Sequence, residues 1–497
     1  MTHFLKFITA TDGYKIDHRR QYPQGTSYVY SNFTPRATRI PGVTEIPCVG
    51  RRIFTKYFLE DLARDTFFNV PKRQVLEYYQ RRIDGYFGPN DIGTEHIGDL
   101  HDLGYLPLEI YALPEGTLCP LRVPMLTVEN THPDFFWLTN YIETPLSSMI
   151  WQASTNAQIA RMYRKNFDQW AAKTSDYLEF VDYQGHDFSF RGMGSPEAAA
   201  RAIGHLLYFK GTDTLPVLDV LEEYYGVSQI DLNPYGVSVP ATEHAVMCAG
   251  GSETELETFQ RLLDLYPIGI VSVVSDTWDL WKVIGELLPN LKDKIIARNG
   301  KLVIRPDSGD PVKILCGDMN HKGNSYRDAY IRRGVIECLW DIFGGKINTK
   351  GFRELDSHIG AIYGDSITRE RQDQINYWLA DKGFASTNWV AGIGSYTYQY
   401  NTRDTFGMAM KATWAMINGE EKFLFKQPAT DDGTKFSARG KLVVVKNKEG
   451  VLELTDGMGM AKWSNCGATD ELKLAWLDGV EQEHPQFSHM QKRAKVL

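Results

Sequence analysis

Groups that could do chemistry recur at the ends of short apolar runs in this chain. Arg191 closes His186-Asp-Phe-Ser-Phe, and Asp213 sits in Gly211-Thr-Asp-Thr. Glu243 and His244 follow Tyr235-Gly-Val-Ser-Val-Pro-Ala-Thr, and Asp276 ends Gly269-Ile-Val-Ser-Val-Val-Ser. Arg305 and Asp307 lie in Lys301-Leu-Val-Ile-Arg-Pro-Asp-Ser-Gly, Asp365 ends Ile359-Gly-Ala-Ile-Tyr-Gly, and a Gly392-x-Gly394 turn precedes Ser395. Guanidinium forks and the backbone N–H groups of a glycine turn match phosphate oxygens. Carboxylates suit sugar hydroxyls and Mg²⁺. A histidine beside an acid can carry a proton or accept a phosphoryl group. Phe188 offers a flat face to an aromatic ring. Singly each signal is weak; together they read as a site for a phosphorylated sugar and an aromatic base. The sequence holds no Walker A lysine motif and no GxGxxG after a strand.

The elements that must carry these groups alternate. From about Tyr177, short apolar runs and helical segments give about seven strand-to-helix steps, the βα pattern. The runs at Leu178–Val181 and Leu206–Phe209 read as strands. Val237 and Val239 read as a short buried strand stopped by Pro240. Ser195 is placed to cap a helix with Pro196 at its first position, Ser252-x-x-Glu255 reads as a capping box, and Trp278–Leu288 as a helix. Met247 and Cys248 read as core. An open doubly wound sheet would alternate in the same way. A closed, irregular barrel is favoured, because functional groups from nearly every strand end meet only at a barrel mouth.

Residues before and after the barrel have a different texture. Thr26–Phe33 favours a strand, and Ile110–Thr117 and Pro124–Glu129 look antiparallel with turns. Phe135–Trp151 and Asn156–Ala172 read as two helices. Arg36, Arg39, Arg51 and Arg52 read as a solvated face. After about Gln399 the chain returns to β character and is expected to pack back on the first lobe. The expected organisation is α/β: an irregular (β/α) barrel over 176–396, with a β-rich α+β lobe built from 1–175 and 397–497.

Length and composition bound the rest. A chain of 497 residues, 43% apolar, exceeds one ordinary domain. A net charge of -8 gives no reason to expect nucleic-acid binding. Six cysteines without CxxC spacing argue against a zinc site or disulfide framework and fit a reducing cytosol. The N-terminus lacks a secretory signal pattern, and no apolar run approaches the ~18 residues of a membrane span. A cytoplasmic protein with no membrane partner is expected.

Taken in order, Thr11-Asp-Gly-Tyr-Lys, Gln21-Tyr-Pro, Leu138-Thr-Asn-Tyr-Ile-Glu-Thr, His186-Asp-Phe-Ser-Phe-Arg-Gly, Phe209-Lys-Gly-Thr-Asp-Thr, the His244 segment, Val271-Ser-Val-Val-Ser-Asp and Ile304-Arg-Pro-Asp-Ser-Gly resemble the nicotinamide phosphoribosyltransferase family, the type II phosphoribosyltransferases. The resemblance covers most of the chain and weakens after about Gly440. It implies a homodimer with shared active sites. The implied reaction is nicotinamide plus phosphoribosyl pyrophosphate giving nicotinamide mononucleotide and pyrophosphate. Mg²⁺ would be held mainly through the pyrophosphate, and ATP would be hydrolysed through a phosphohistidine at His244.

By the same resemblance, Phe188 and the partner's Tyr14 sandwich the pyridine ring. Asp213 and Arg305 bind the carboxamide, with Ser238, Val239 and Ser272 also lining the substrate site. Asp307 and the Gly364-Asp365 turn hold the ribose hydroxyls, while Gly394 and Ser395 approach the 5′-phosphate. Arg191, with Arg36, Arg403, Lys411 and Lys426 from the partner, binds phosphate and pyrophosphate. Asp276 orients His244, and Glu243 belongs to the catalytic set. Ser395 departs from the family's usual glycine. The rival readings are nicotinate phosphoribosyltransferase, a non-catalytic binding or signalling member, and an aldolase or isomerase on a similar barrel. The last lacks a strand-end lysine suited to a Schiff base.

Overall fold

The computed structural model describes residues 4–195, 197–198, 201–228, 235–364, 366–426, 438–466 and 470–495. The chain forms two compact units. Unit 1 comprises 1–158, 220–227 and 401–496; unit 2 comprises 159–219, 228–400 and 497.

Unit 1 is organised by a seven-stranded sheet drawn from both ends of the chain. Its order is Glu420–Phe423, Ala409–Ile417, Thr26–Thr34, Leu126–Asn130, Leu108–Ala112, Lys473–Leu477 and Val480–Glu481. The strand Thr26–Thr34 is central because Tyr30 and Phe33 are fully buried while its edges pair antiparallel with Ala409–Ile417 and Leu126–Asn130. The late strand Lys441–Lys446 places Lys441 beside Glu129, with its Nζ 4.3–5.0 Å from the ring centres of Tyr30, Trp414 and Trp463. A buried cation thus has both an opposite charge and aromatic faces.

The two helices expected over 135–172 are one continuous helix, Glu143–Thr174, preceded by the single turn Leu138–Tyr141. The residues between the two expected helices, Gln152 to Thr155, are buried, and Ser154 Oγ accepts from Val49 N–H (3.0 Å) and donates to Val49 C=O (2.9 Å).

Unit 2 is built on a six-stranded parallel sheet. Its order is Gly211–Thr212, Gly185–Asp187, Trp389–Ile393, Ile359–Tyr363, Asn299–Arg305 and Ile268–Val274. The segment Val237–Thr242 bridges its two edges. Val237 pairs with Gly211 and Ala241 with Ser272, both in parallel sense. Thr212 N–H donates to Val237 C=O (3.0 Å), and Thr242 N–H to Ser272 C=O (3.0 Å). Pro240 has no N–H to give, but its C=O accepts from Ser272 N–H (2.9 Å). The sheet is therefore closed into an irregular barrel. Here the expected buried strand at Val237–Val239 is corrected: single bridges replace a ladder, and both valines are half-buried.

Four further local expectations are corrected. Arg51 and Arg52 do not belong to a solvated face: both are buried and pair with Glu481. Leu178–Val181 and Leu206–Phe209 carry helical turns, and the strands are only Gly185–Asp187 and Gly211–Thr212. Leu206 to Phe209 are all buried, and a run buried on every side has no period that separates strand from helix. Ser252–Thr254 is a 3₁₀ turn and the helix Glu255–Leu265 lacks a side-chain cap, so the proposed capping box is not formed. Helical structure after Trp278 continues through Leu280–Ile296, beyond Leu288. Ser195 does accept from Ala198 N–H (3.1 Å); Pro196 lies outside the described residues. No described helix is long and apolar enough to cross a membrane.

Candidate active site

The barrel strands of unit 2 deliver their C-terminal ends to one mouth, and hydrogen bonds between neighbouring ends fix it. Asp187, 1% exposed, accepts from Ser189 N–H (2.9 Å) and Thr212 Oγ1 (3.2 Å), and its C=O takes Asp213 N–H (2.8 Å). This bonding locks the ends that carry Phe188 and Asp213. Thr242 does the same on the opposite side: its Oγ1 accepts from Val274 N–H (2.9 Å) and its C=O from Arg305 Nη2 (2.6 Å). Gly364 lies so close to Asp307 that a Cβ there would stand 2.2 Å from Asp307 Oδ1. A Cβ on Gly192 would stand 2.0 Å from Ser395 Oγ. A side chain at either glycine would displace the Asp307 carboxylate or the Ser395 hydroxyl from its place in the mouth.

Two cavities meet at this mouth. One, of about 500 Å³, fills the barrel interior and is lined by Ser238, Val239, Ser272 and mostly apolar neighbours. The other, of about 1150 Å³, is the more polar of the two and is lined by Arg191, Glu243, His244, Asp307, Gly364, Gly394 and Ser395. Phe188, Asp213, Ala241 and Arg305 line both. Ser272 Oγ and Arg305 Nε are buried and have no hydrogen-bond partner among the described residues. Such groups are costly unless a ligand or water meets them.

Electrostatics sharpen the junction. Burial would raise the Asp213 carboxyl. Hydrogen bonds from His186 and Ser238, with the charges of His186 and Arg305, outweigh burial and hold it below the usual carboxylate value. His186 Nε2 lies 3.1 Å from Asp213 Oδ1, and Ser238 Oγ donates to the same oxygen. The His186 ring packs on Phe188 with centroids 4.5 Å apart. Asp307 Oδ2 is 3.8 Å from both Arg305 Nε and His244 Nε2.

His244 opens the helix His244–Gly250 with Glu243 at its N-cap. One expectation fails here. Asp276 does not meet the His244 ring: its Oδ2 accepts from the N–H groups of Asp307 (2.9 Å) and Ser308 (2.7 Å). The partner of His244 Nδ1 is Thr277 Oγ1 at 3.1 Å. Asp276 is engaged because the Asp307-Ser308 turn presents two N–H groups to it. On the same helix Met247 is buried, as expected, but Cys248 is exposed, because the helix turns that side outward. Asp365 lies outside the described residues.

The other expected site residues belong to unit 1. Tyr14 is 64% exposed. Arg36, Arg403 and Lys411 are exposed and form an electrostatic cluster. Burial lowers the Lys411 ammonium, Glu143 opposes that, and the charges of Arg36, Arg403 and Lys15 lower it further. The cluster concentrates positive charge on one part of unit 1. Lys426 is exposed.

Residues 183–456 match the family model for the nicotinate phosphoribosyltransferase (NAPRTase) family. The chain belongs to that family. Residues 6–110 match the nicotinamide phosphoribosyltransferase N-terminal domain. The chain is 51% identical over 463 residues to a nicotinamide phosphoribosyltransferase of Acinetobacter baylyi, covering 90% of each chain. It is 35% identical over 458 residues to that of Mycoplasma pneumoniae, covering 88% of this chain and 96% of the other. Among solved structures, it resembles nicotinate-nucleotide pyrophosphorylase from Pyrococcus furiosus. The TM-score is 0.56 at 14% identity, with 99% and 96% of the two chains covered. Human nicotinic acid phosphoribosyltransferase gives 0.53 at 15% identity, covering 98% and 93%. These two likenesses speak for the family fold.

Residues missed from sequence are those that act through others: Asp187, Thr242, Thr277 and His186 as a partner of Asp213. Each is a polar residue at a strand end, but only the register of adjacent strands tells which group it meets.

Proposed function

We propose that the protein transfers the phosphoribosyl group of phosphoribosyl pyrophosphate to nicotinamide, giving nicotinamide mononucleotide and pyrophosphate, a salvage step toward NAD. The observation that carries this reading is the junction of an apolar and a polar cavity at Phe188, Asp213 and Arg305. A flat ring fits against Phe188. Its carboxamide can donate to Asp213 and accept from Arg305 Nε and Ser272 Oγ, neither of which makes a hydrogen bond among the described residues. The polar mouth then receives the ribose and phosphates, with Asp307 for hydroxyls and Arg191 and the Gly394-Ser395 turn for phosphate.

Such a transfer needs no strong nucleophile beyond the pyridine nitrogen. The C1–O bond to pyrophosphate breaks with oxocarbenium character, so positioning and offset of the leaving group's charge supply most of the acceleration. Mg²⁺ would add charge offset to the leaving group and would be held mainly through the pyrophosphate, since the described residues contain no cluster of three metal-ligating side chains. The cations Arg36, Arg403, Lys411 and Lys426, with Tyr14, serve the site of a second copy in a homodimer. The 51% identity to a nicotinamide phosphoribosyltransferase supports nicotinamide over nicotinate as substrate. ATP hydrolysis through phosphorylated His244 is part of the proposal, supported by that ring's place in the polar mouth. A cytoplasmic location is supported by six free cysteines.

The test is product identification. Purified protein, nicotinamide, phosphoribosyl pyrophosphate and Mg²⁺ are incubated and analysed by mass spectrometry. Nicotinamide mononucleotide and pyrophosphate in equal amounts are expected. Absence of both, with the protein folded, would sink the proposal.

A further inference from the structure

We infer that Thr277 is a positioning residue for His244: its hydroxyl holds Nδ1 in both tautomers of the ring, so that Nε2 is the atom that takes the phosphoryl group. This rests on the phosphohistidine reading above.

The geometry begins with the loop that carries Thr277. It leaves the strand Ile268–Val274 and is clamped along its length. Ser275 N–H donates to Arg305 C=O (3.0 Å) and Ser275 Oγ to Val273 C=O (2.7 Å). Asp276 takes the Asp307 and Ser308 N–H groups. Asp279 caps the next helix, accepting from Trp281 N–H (3.1 Å) and Lys282 N–H (3.4 Å). The Thr277 hydroxyl is therefore presented from a loop fixed on both sides, whereas the His244 side chain it meets is 47% exposed. A half-exposed ring needs such a contact to keep one orientation.

The ring's two nitrogens face different chemistry. Nδ1 is 3.1 Å from Thr277 Oγ1, and Nε2 is 3.8 Å from Asp307 Oδ2. A carboxylate only accepts, while a hydroxyl donates or accepts by rotating. With Nε2 protonated toward Asp307, the Thr277 O–H donates to Nδ1. With Nδ1 protonated, the same oxygen accepts, and the Nε2 lone pair is free on the mouth side. In the second state the Nε2 lone pair attacks the γ-phosphorus of ATP. The bond from that phosphorus to the β,γ-bridging oxygen breaks, and ADP leaves with the electron pair. Nδ1 keeps its proton, so the ring becomes a phosphorylated imidazolium. Thr277 Oγ1 accepts its hydrogen bond and Asp307 offsets its charge. A carboxylate on Nδ1 would favour only the protonated state; a hydroxyl serves both.

The experiment uses the full chain with ¹⁵N-labelled histidine. Wild type, Thr277→Ser, Thr277→Val and Thr277→Ala are compared, with His244 assigned by loss of its signals in His244→Gln. Long-range ¹H–¹⁵N spectra read the tautomer balance without ATP. Labelling with γ-³²P ATP reads the phosphorylation rate, and ³¹P spectra of the base-quenched protein read which nitrogen is phosphorylated. Wild type and Thr277→Ser are expected to match, with phosphate on Nε2 alone. The two hydroxyl-free variants are expected to show a shifted tautomer balance, a roughly tenfold slower phosphorylation and some Nδ1 product. Two such variants guard against a folding defect peculiar to one. Hydroxyl-free variants that match wild type in all three readouts would overturn the assignment. Wild type that takes no label while the tautomer balance still shifts would instead overturn the phosphohistidine reading and leave the positioning role standing.

Discussion

Asp276 Oδ2 accepts from the backbone N–H of Asp307 at 2.9 Å, and so ties the end of the strand Ile268–Val274 to the turn after Asn299–Arg305. The same oxygen takes Ser308 N–H at 2.7 Å. Charge-assisted bonds of this kind are worth roughly 1.5–3 kcal/mol each. Asp276→Ala is expected to destabilise the protein by a similar amount and to raise KM for phosphoribosyl pyrophosphate, because Asp307 loses its support. Asp276→Asn keeps one acceptor oxygen and should fall between. Thermal unfolding with steady-state kinetics checks this. An alanine variant with unchanged Tm and KM would mean that the turn is held by other contacts.

His96 should set part of the acid limit of stability. It is 5% exposed, lies edge-on to Trp137 and Tyr79, and its Nδ1 has no hydrogen-bond partner among the described residues. Burial, with a smaller effect of Arg19, lowers its pKa to about 3 against the ordinary 6.5. The folded state keeps the ring neutral while the unfolded chain takes up a proton below about 6.5. Stability is therefore lost as pH falls from about 6.5 toward about 3, by up to ~1.4 kcal/mol per pH unit. His96→Phe should flatten that limb in denaturant titrations between those values. A variant with the same acid slope as wild type would remove His96 from the account.

The proposed sharing of sites between two copies predicts complementation. Tyr14→Ala and Asp307→Ala protomers, each inactive alone, should recover activity after subunit exchange, because one site in the hybrid is intact. Native mass spectrometry verifies the exchange. Hybrids that form without recovery would count against a partner's Tyr14 in the site.

His244→Ala should take no label from γ-³²P ATP and should keep part of its transferase activity, because in the proposed reaction phosphorylation would assist the transfer without being the bond-forming step. Labelling of that variant at the wild-type level would place the acceptor elsewhere.

Much of this architecture was readable because strand-end groups advertise themselves. Arg305-Pro-Asp307 and Gly211-Thr-Asp213 stand where an apolar run stops, and the alternation around them implies a barrel. The closure at Val237–Thr242 was legible only in part. Its residues looked like a strand, but Pro240 and the exposure of Ser238 limit it to two bridges. The single helix Glu143–Thr174 reads as two in one dimension for a related reason, because a polar residue such as Ser154 interrupts the apolar pattern whether or not a bond to Val49 lets it be buried. Thr277 and Asp276 are adjacent carriers of oxygen, and only the path of the neighbouring turn at Asp307 decides which one reaches His244.

In the proposed reaction Asp213 reads an amide. Nicotinamide and nicotinic acid differ only in carboxamide against carboxylate. Asp213, held ionised by His186 and Ser238, can accept from an amide N–H but repels a carboxylate. At ~4 Å and an effective dielectric near 20, that repulsion is roughly 4 kcal/mol. Arg305 offsets part of it, which leaves about 1–3 kcal/mol of discrimination, or roughly ten- to two-hundredfold. The deciding measurement is kcat/KM for both substrates in wild type and Asp213→Ser. The predicted result is a wild-type preference for nicotinamide in that range, which collapses in the variant as nicotinamide use falls and nicotinic acid use holds or rises. A wild-type preference for nicotinic acid, or an equal fall for both substrates in the variant, would contradict it.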